Sequence, residues 1–175
     1  MESADADSQL ALMVAASLLK RFAESTLCKG LSPEEVESLF ALCEVRQLEA
    51  GACLFREKQP ADALFIVLSG DVEISSEGQL LAEVGPGSAL GELSLFRAVP
   101  RRSATVTAIC AVTVLRISGP QFQKRLVLHD LAALKVVNNL AHQMADRLAA
   151  LNERLISGGK KGLAVARSEL RRAVG

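Results

Sequence analysis

The chain has 175 residues, 50% of them apolar, with 20 basic and 20 acidic side chains in formal balance. That length can bury one good core and argues for one domain with appendages, while the zero net charge gives no global pull toward nucleic acid or an anionic membrane. Six Phe with neither Trp nor Tyr argue against a platform of stacked rings for single-stranded nucleic acid, so the core must be aliphatic.

Residues 8 to 27 place Leu10, Met13, Val14, Ser17, Leu18 and Phe22 on one face at helical spacing, which predicts an amino-terminal helix that docks on something. The run Leu10 to Leu19 is too short to span a bilayer. Its flank carries Glu2, Asp5 and Asp7 where a secretory signal needs positive charge. The expected location is the cytoplasm. Lys29-Gly30 ends this helix, and Ser32-Pro33-Glu34-Glu35 has the chemistry of a second start: a Ser cap, a Pro in first position and a Glu three residues after the cap. That second helix is expected to reach about Cys43.

From Val45 to Ile117 the period changes, and short β-branched or aliphatic runs recur between Gly, Pro, Asp and Ser clusters. Expected strands are Val45 to Leu48, Cys53 to Arg56, Ala63 to Leu68, Val72 to Ser75, Leu80 to Val84, Ser103 to Ala108 and Val112 to Ile117. Ser69-Gly70-Asp71 and Ser76-Glu77-Gly78-Gln79 read as hairpin turns. So many short strands imply a closed or rolled antiparallel sheet and not a βαβ layout, hence a mainly β protein with flanking helices. Cys28, Cys43, Cys53 and Cys110 are scattered, without a C-x-x-C pair or a His cluster, and read as reduced thiols. His129 and His142 lie at or in a late helix, which argues against a metal-dependent enzyme with ligands on strands.

Ser118-Gly119-Pro120 opens a short helix to about Leu126. After His129-Asp130 a long helix is expected, with Leu134, Val137, Ala141, Met144, Leu148, Leu151 and Leu155 spaced by threes and fours. This seam either packs on the barrel or joins two copies of the chain through residues 131–156, and its strict alternation favours a homodimer. Ser157 to Gly162 then breaks the helix, and residues 157–175 read as a flexible basic tail with Arg167, Arg171 and Arg172. Such a tail is a solvated end, or it meets a membrane or an acidic partner. The expected domains are therefore an amino-terminal helix at 1–30, a central domain at 31–156 with its sheet at about 45–117 and its helices at 118–156, and the tail.

One stretch carries chemistry. Gly85-Pro86-Gly87 and Gly91 turn the backbone sharply before Glu92, and glycine lets a ligand approach closely. If Glu92-Leu93-Ser94-Leu95 starts a short helix, its free amides suit a phosphate. Arg102 lies ten residues beyond Glu92, and its planar fork, with Ser103 beside it, suits phosphate oxygens. From spacing alone, Glu92 and Arg102 could equally pair with each other.

The stretches Gly91 to Leu95 and Arg102-Ser103-Ala104-Thr105-Val106 resemble the phosphate-binding cassette of cyclic nucleotide-binding domains. The run from Phe55 to Glu73 and the helix start Gly30 to Glu35 resemble the same family, so the likeness covers about residues 25 to 156. It implies an antiparallel β-roll with amino-terminal helices, a short phosphate-binding helix and a long carboxy-terminal lid helix. It also implies a ligand, cAMP before cGMP, with no catalytic cofactor or residue and no metal. Glu92 would accept the ribose 2′-hydroxyl and Arg102 would pair with the cyclic phosphate. Ser103 and amides near Gly91, Leu93 and Ala104 would complete the cradle, with Ser94 on the same short helix.

The spacing from Gly91 to Arg102 resembles the bacterial catabolite activator branch. Residues 141–148 are similar to the middle of that branch's long helix, which would make Arg147 a partner for Glu92. Where the branch offers a Thr-Ser pair to the base, this chain has Leu151-Asn152, and Asn152 carries both donor and acceptor for a purine edge. Fewer than twenty residues follow Ile156, too few for the branch's winged helix-turn-helix, so DNA binding is not expected. The expectation is a stand-alone sensor acting on an effector protein of unknown identity; the alternative is a degenerate module that binds no nucleotide and serves docking or dimerisation.

Overall fold

The computed structural model describes residues 2–96, 101–149 and 152. The chain forms two compact units, Met1–Asn139 and Leu140–Gly175.

The first unit begins with α1, Glu2–Ala23, followed by a 3₁₀ turn at Thr26–Cys28. The end of α1 docks, with Phe22 buried and its ring 5.9 Å from that of Phe40, whereas Met13 and Val14, in the middle of the expected apolar face, are 71% and 50% exposed. α2, Pro33–Phe40, starts as its sequence demands, for Glu35 N donates to Ser32 Oγ and Ser32 N donates to the Glu35 carboxylate at 2.7 Å. It ends at Phe40 and not at Cys43, because Cys43 already belongs to the first strand.

Eight strands follow: β1 Cys43–Leu48, β2 Cys53–Phe55, β3 Ala63–Ser69, β4 Val72–Ser76, β5 Gln79–Val84, β6 Ala89–Leu90, β7 Thr105–Ala108 and β8 Val112–Ser118. They make two antiparallel four-stranded sheets in the orders β1-β8-β3-β6 and β2-β7-β4-β5. Ala63, Phe65 and Val67 of β3 meet Val72, Val106, Ala108, Val112 and Val114 in the core of the roll. The opposite face of β3, with Leu64 and Ile66 wholly buried, lies against helices, so this strand shows a continuous apolar run without alternation.

Two local readings change. Ser76 to Gln79 is a hairpin between β4 and β5, with Glu77 and Gly78 both at positive φ. Ser69-Gly70-Asp71 is not, because β3 and β4 belong to different sheets and the chain crosses between them there. Gly70 sits at φ +77°, and a Cβ on it would lie 2.3 Å from the Ala111 carbonyl oxygen. β6 has no counterpart among the expected strands, since two residues are too few for any periodic signal.

α3, Gly119–Val127, buries Phe122 and hands over to α4, residues 131–149, through His129 in the left-handed region at φ 57°. Asp130 caps α4 by accepting from Ala133 N. Within the first unit α4 buries Ala132, Ala133 and Val136, while seam residue Leu134 stays 45% exposed. Asn139 Nδ2 donates to the carbonyls of Leu27 and Lys29, and Lys135 Nζ lies 2.7 Å from Glu35. In the second unit the helix carries seam residue Leu148, 60% exposed. Seam residues Leu151 and Leu155 and the basic tail lie outside the described residues. Among the described residues no helix is long and apolar enough to cross a membrane.

Candidate functional site

The two stretches singled out in the sequence come together at the end of β3. The Gly85 to Ser88 turn is stitched to β3 by Gly87 N donating to Val67 O and Val67 N donating to Ser88 O. It delivers β6 alongside β3 in the register Phe65↔Leu90 and Ile66↔Ala89. Gly91 follows at φ +72°. Glu92–Leu95 then forms a single 3₁₀ turn where a short helix is expected. Ser94 folds back on this turn, its amide donating to Gly91 O and its hydroxyl to Ala63 O.

Arg102 arrives from the other side. An isolated bridge between Pro60 and Arg101 leads into it. Its backbone is clamped by Arg102 N donating to Gln59 O and Lys58 N donating to Arg102 O. The side chain runs inward and is 3% exposed. Its guanidinium carbon stands 4.1 Å from the centre of the Phe55 ring and 5.3 Å from that of Phe65, a cation–π placement that offsets part of the cost of burial. Nη1 donates to Ala63 O at 2.9 Å, whereas Nε is buried without a hydrogen-bond partner. Burial holds the guanidinium below its ordinary pKa, with Arg116 pushing the same way; Asp62 and, more weakly, Glu92 oppose this. The group remains a cation.

Gly91 closes this arrangement. A Cβ there would sit 2.0 Å from Arg102 Nη1 and 3.3 Å from Ala63 O, so only glycine lets the turn lie directly over the arginine. Gly91, Ser94 and Arg102 therefore converge on the Ala63 carbonyl, and Glu92 is close enough for its charge to be felt at Arg102. Leu93 lies on the same turn. Ser103 is exposed and Ala104 buried at the approach to β7. Arg147 stands exposed on the helix of the second unit, and Asn152 is helical and exposed.

Sequence reading missed two residues beside Arg102. Asp62 Oδ1 lies 3.9 Å from Arg102 Nη2, and Arg116 of β8 lies 2.8 Å from the other oxygen of Asp62. Neither sits in a glycine or proline signature. The available signal was an arginine in the apolar run of β8, where burial demands a partner. Among the described residues no group of three or more His, Cys, Asp or Glu side chains is placed to hold a metal ion.

The site is thus a rolled pair of antiparallel sheets with a glycine turn laid over a buried, incompletely paired arginine. The profile described as "Cyclic nucleotide-binding domain" matches residues 45–127. A solved cyclic nucleotide-binding-like protein from Brucella abortus is 32% identical, with a TM-score of 0.53 over 62% of this chain and 97% of that one. The chain belongs to the cyclic nucleotide-binding domain family. Glutaminase 1 of Bradyrhizobium diazoefficiens is 36% identical over 134 residues, 76% of this chain. The CRP-like cAMP-activated global transcriptional regulator of Mycobacterium tuberculosis is 32% identical over 101 residues, 54% of this chain. The chain spans 22% of the glutaminase's length and 45% of the regulator's. So small a share of the glutaminase does not point to catalysis here.

Proposed function

We propose that this chain is a non-catalytic sensor that binds a cyclic mononucleotide, cAMP in preference to cGMP, and signals occupancy through the helices after Ile117. The observation that carries this reading is the buried Arg102 cation under Gly91 with its Nε unpartnered, in a member of this family. A cyclic phosphate would supply the missing acceptor and a full countercharge. Each charge-assisted contact of this kind contributes roughly 1.5 to 3 kcal/mol. Glu92 takes the ribose 2′-hydroxyl, and Ser103 and the amides of Gly91, Leu93 and Ala104 complete the cradle; Arg147, Leu151 and Asn152 are the candidates that the family resemblance offers for the rest of the ligand. The preference for cAMP draws on the regulator named for it among the relatives.

The route of the signal is supported by Gln123 of α3, whose amide donates to Leu95 O on the 3₁₀ turn. A ligand that reorders the turn thereby acts on α3, and a base contact would extend the effect to residues 131–156. Equal hydrogen exchange of that helix with and without saturating nucleotide would refute the coupling. Exposure of Leu134 and Leu148 supports homodimerisation through the same helix. Leu148→Glu should then split the dimer in sedimentation, and a monomeric wild type would refute the seam. The output passes to a cytoplasmic effector protein, with the domain at 31–156 as the sensing unit.

A second reading, a docking module that binds no nucleotide, is favoured by one observation: Arg102 already has the Ala63 carbonyl and the nearby Asp62 carboxylate. Calorimetric titration with cAMP and cGMP decides between them. Heat with either, lost in Arg102→Leu, supports the sensor. Silence with both well above micromolar concentration leaves the docking module.

A further inference from the structure

The Asp62 carboxylate stands between two guanidinium groups and makes a hydrogen bond to only one of them. Its Oδ2 is 2.8 Å from Arg116 Nη2, while its Oδ1 is 3.9 Å from Arg102 Nη2, beyond hydrogen-bond reach. Arg116 is held in turn from the other side, with Nη1 3.3 Å from both carboxylate oxygens of Glu44. The register explains the placement. Arg116 of β8 is directly opposite Glu44 of β1 on one side and Phe65 of β3 on the other. It therefore shares a sheet face with the ring that lies beside Arg102.

A carboxylate this close to Arg102 is a built-in rival for any anion. Asp62 is largely exposed, with 70% of its side chain accessible, so it has room to turn. Closing from 3.9 Å to hydrogen-bond distance would give Arg102 a charge-assisted partner and satisfy the guanidinium internally. What opposes that turn is the shorter bond to Arg116, itself only 16% exposed and anchored on Glu44.

We propose that Arg116 is a positioning residue of the anion site: by binding Asp62 it holds the carboxylate off Arg102 and keeps that guanidinium available to a ligand phosphate. This inference rests on the cyclic-phosphate reading of Arg102.

The test is a double-mutant cycle in the full chain. Affinities for cAMP and cGMP are measured by calorimetry for wild type, Arg116→Gln, Asp62→Asn and the double variant, with melting curves for each. Arg116→Gln should weaken nucleotide binding about fivefold and Asp62→Asn should tighten it by a few fold, the scale of a partly exposed ion pair. The decisive expectation is that Arg116→Gln has no effect once Asp62 is neutral, so the double variant binds like Asp62→Asn. If Arg116 merely adds positive potential at the site, its removal will cost the same in both backgrounds, and that result overturns the proposal.

Should Arg116→Gln fail to fold, Arg116→Lys, which keeps the charge but loses the planar fork that grips Asp62, takes its place in the same cycle, and an equal loss in the wild-type and Asp62→Asn backgrounds again overturns the proposal. The two layers separate cleanly. A wild type that binds neither nucleotide removes the phosphate reading and this inference together. A wild type that binds, with affinities untouched by either single change, removes only the role of Arg116.

Discussion

Gly91→Ala separates the site from the fold. The added methyl would lie 2.0 Å from Arg102 Nη1, and the residue would be held at φ +72°. The second effect is a local backbone strain of about 1–2 kcal/mol. The first is relieved by movement, because the colliding atom is the far end of a flexible side chain and not backbone. Arg102 would swing away from Ala63 O, losing one charge-assisted hydrogen bond worth roughly 1.5–3 kcal/mol. Together these destabilise the fold by about 2.5–5 kcal/mol. That corresponds to a melting temperature roughly 5–20 °C lower for a chain of this size, with the roll still formed. Binding suffers as well, because the displaced cation forfeits contacts of roughly 1.5–3 kcal/mol each, so cAMP affinity should fall on the order of a hundredfold. Differential scanning calorimetry and a cAMP titration on the same preparation read both quantities. A variant that binds as wild type does, or one that fails to fold, would refute the reasoning that Gly91 exists to let the turn approach Arg102.

Gly70→Ala is the counterpart with no escape: its Cβ would meet the Ala111 backbone oxygen at 2.3 Å at φ +77°. It should lower the melting temperature well beyond Gly91→Ala, and equal melting would contradict the assignment. Glu35 is held below its ordinary pKa of 4.5, first by the hydrogen bond from Lys135 and then by the Ser32 amide. A depressed carboxylate contributes stability above its unfolded pKa that is lost as pH falls through the folded one. The melting difference between wild type and Lys135→Met should therefore be full at pH 6 and shrink below about pH 4.5; a constant difference from pH 6 to pH 3 would exclude that linkage. Burial pushes the Cys43 thiol up to about 12 and raises Cys28, whereas Cys53 is exposed. At pH 8 iodoacetamide should modify Cys53 first, half-buried Cys43 far more slowly and Cys28 only on unfolding, as peptide mass mapping would reveal; labelling of Cys28 as fast as Cys53 would contradict its burial.

Local chemistry was legible wherever it is encoded within a few residues. The capping box Ser32 to Glu35, the β4–β5 hairpin and seven of the eight strands announce themselves by caps, turn residues and apolar runs. The pairing of Gly91 with Arg102 was legible only through resemblance, since spacing alone could equally have joined Glu92 to Arg102. The docking of α1 was overdrawn, because an apolar stripe shows that a face can be buried but not how far along the helix a neighbour extends.

What the sequence by itself determined is the rolled antiparallel class, the helix boundaries set by caps, and a glycine turn with an arginine suited to phosphate. The tertiary structure decided which sheet each strand joins, which line of α4 packs, and which carboxylate faces Arg102. The physical reason is range. Caps, turns and alternation act over two to four residues, whereas Asp62, Arg102 and Arg116 lie far apart in the chain and meet only because β3 and β8 pair in one register beside the Gly91 turn.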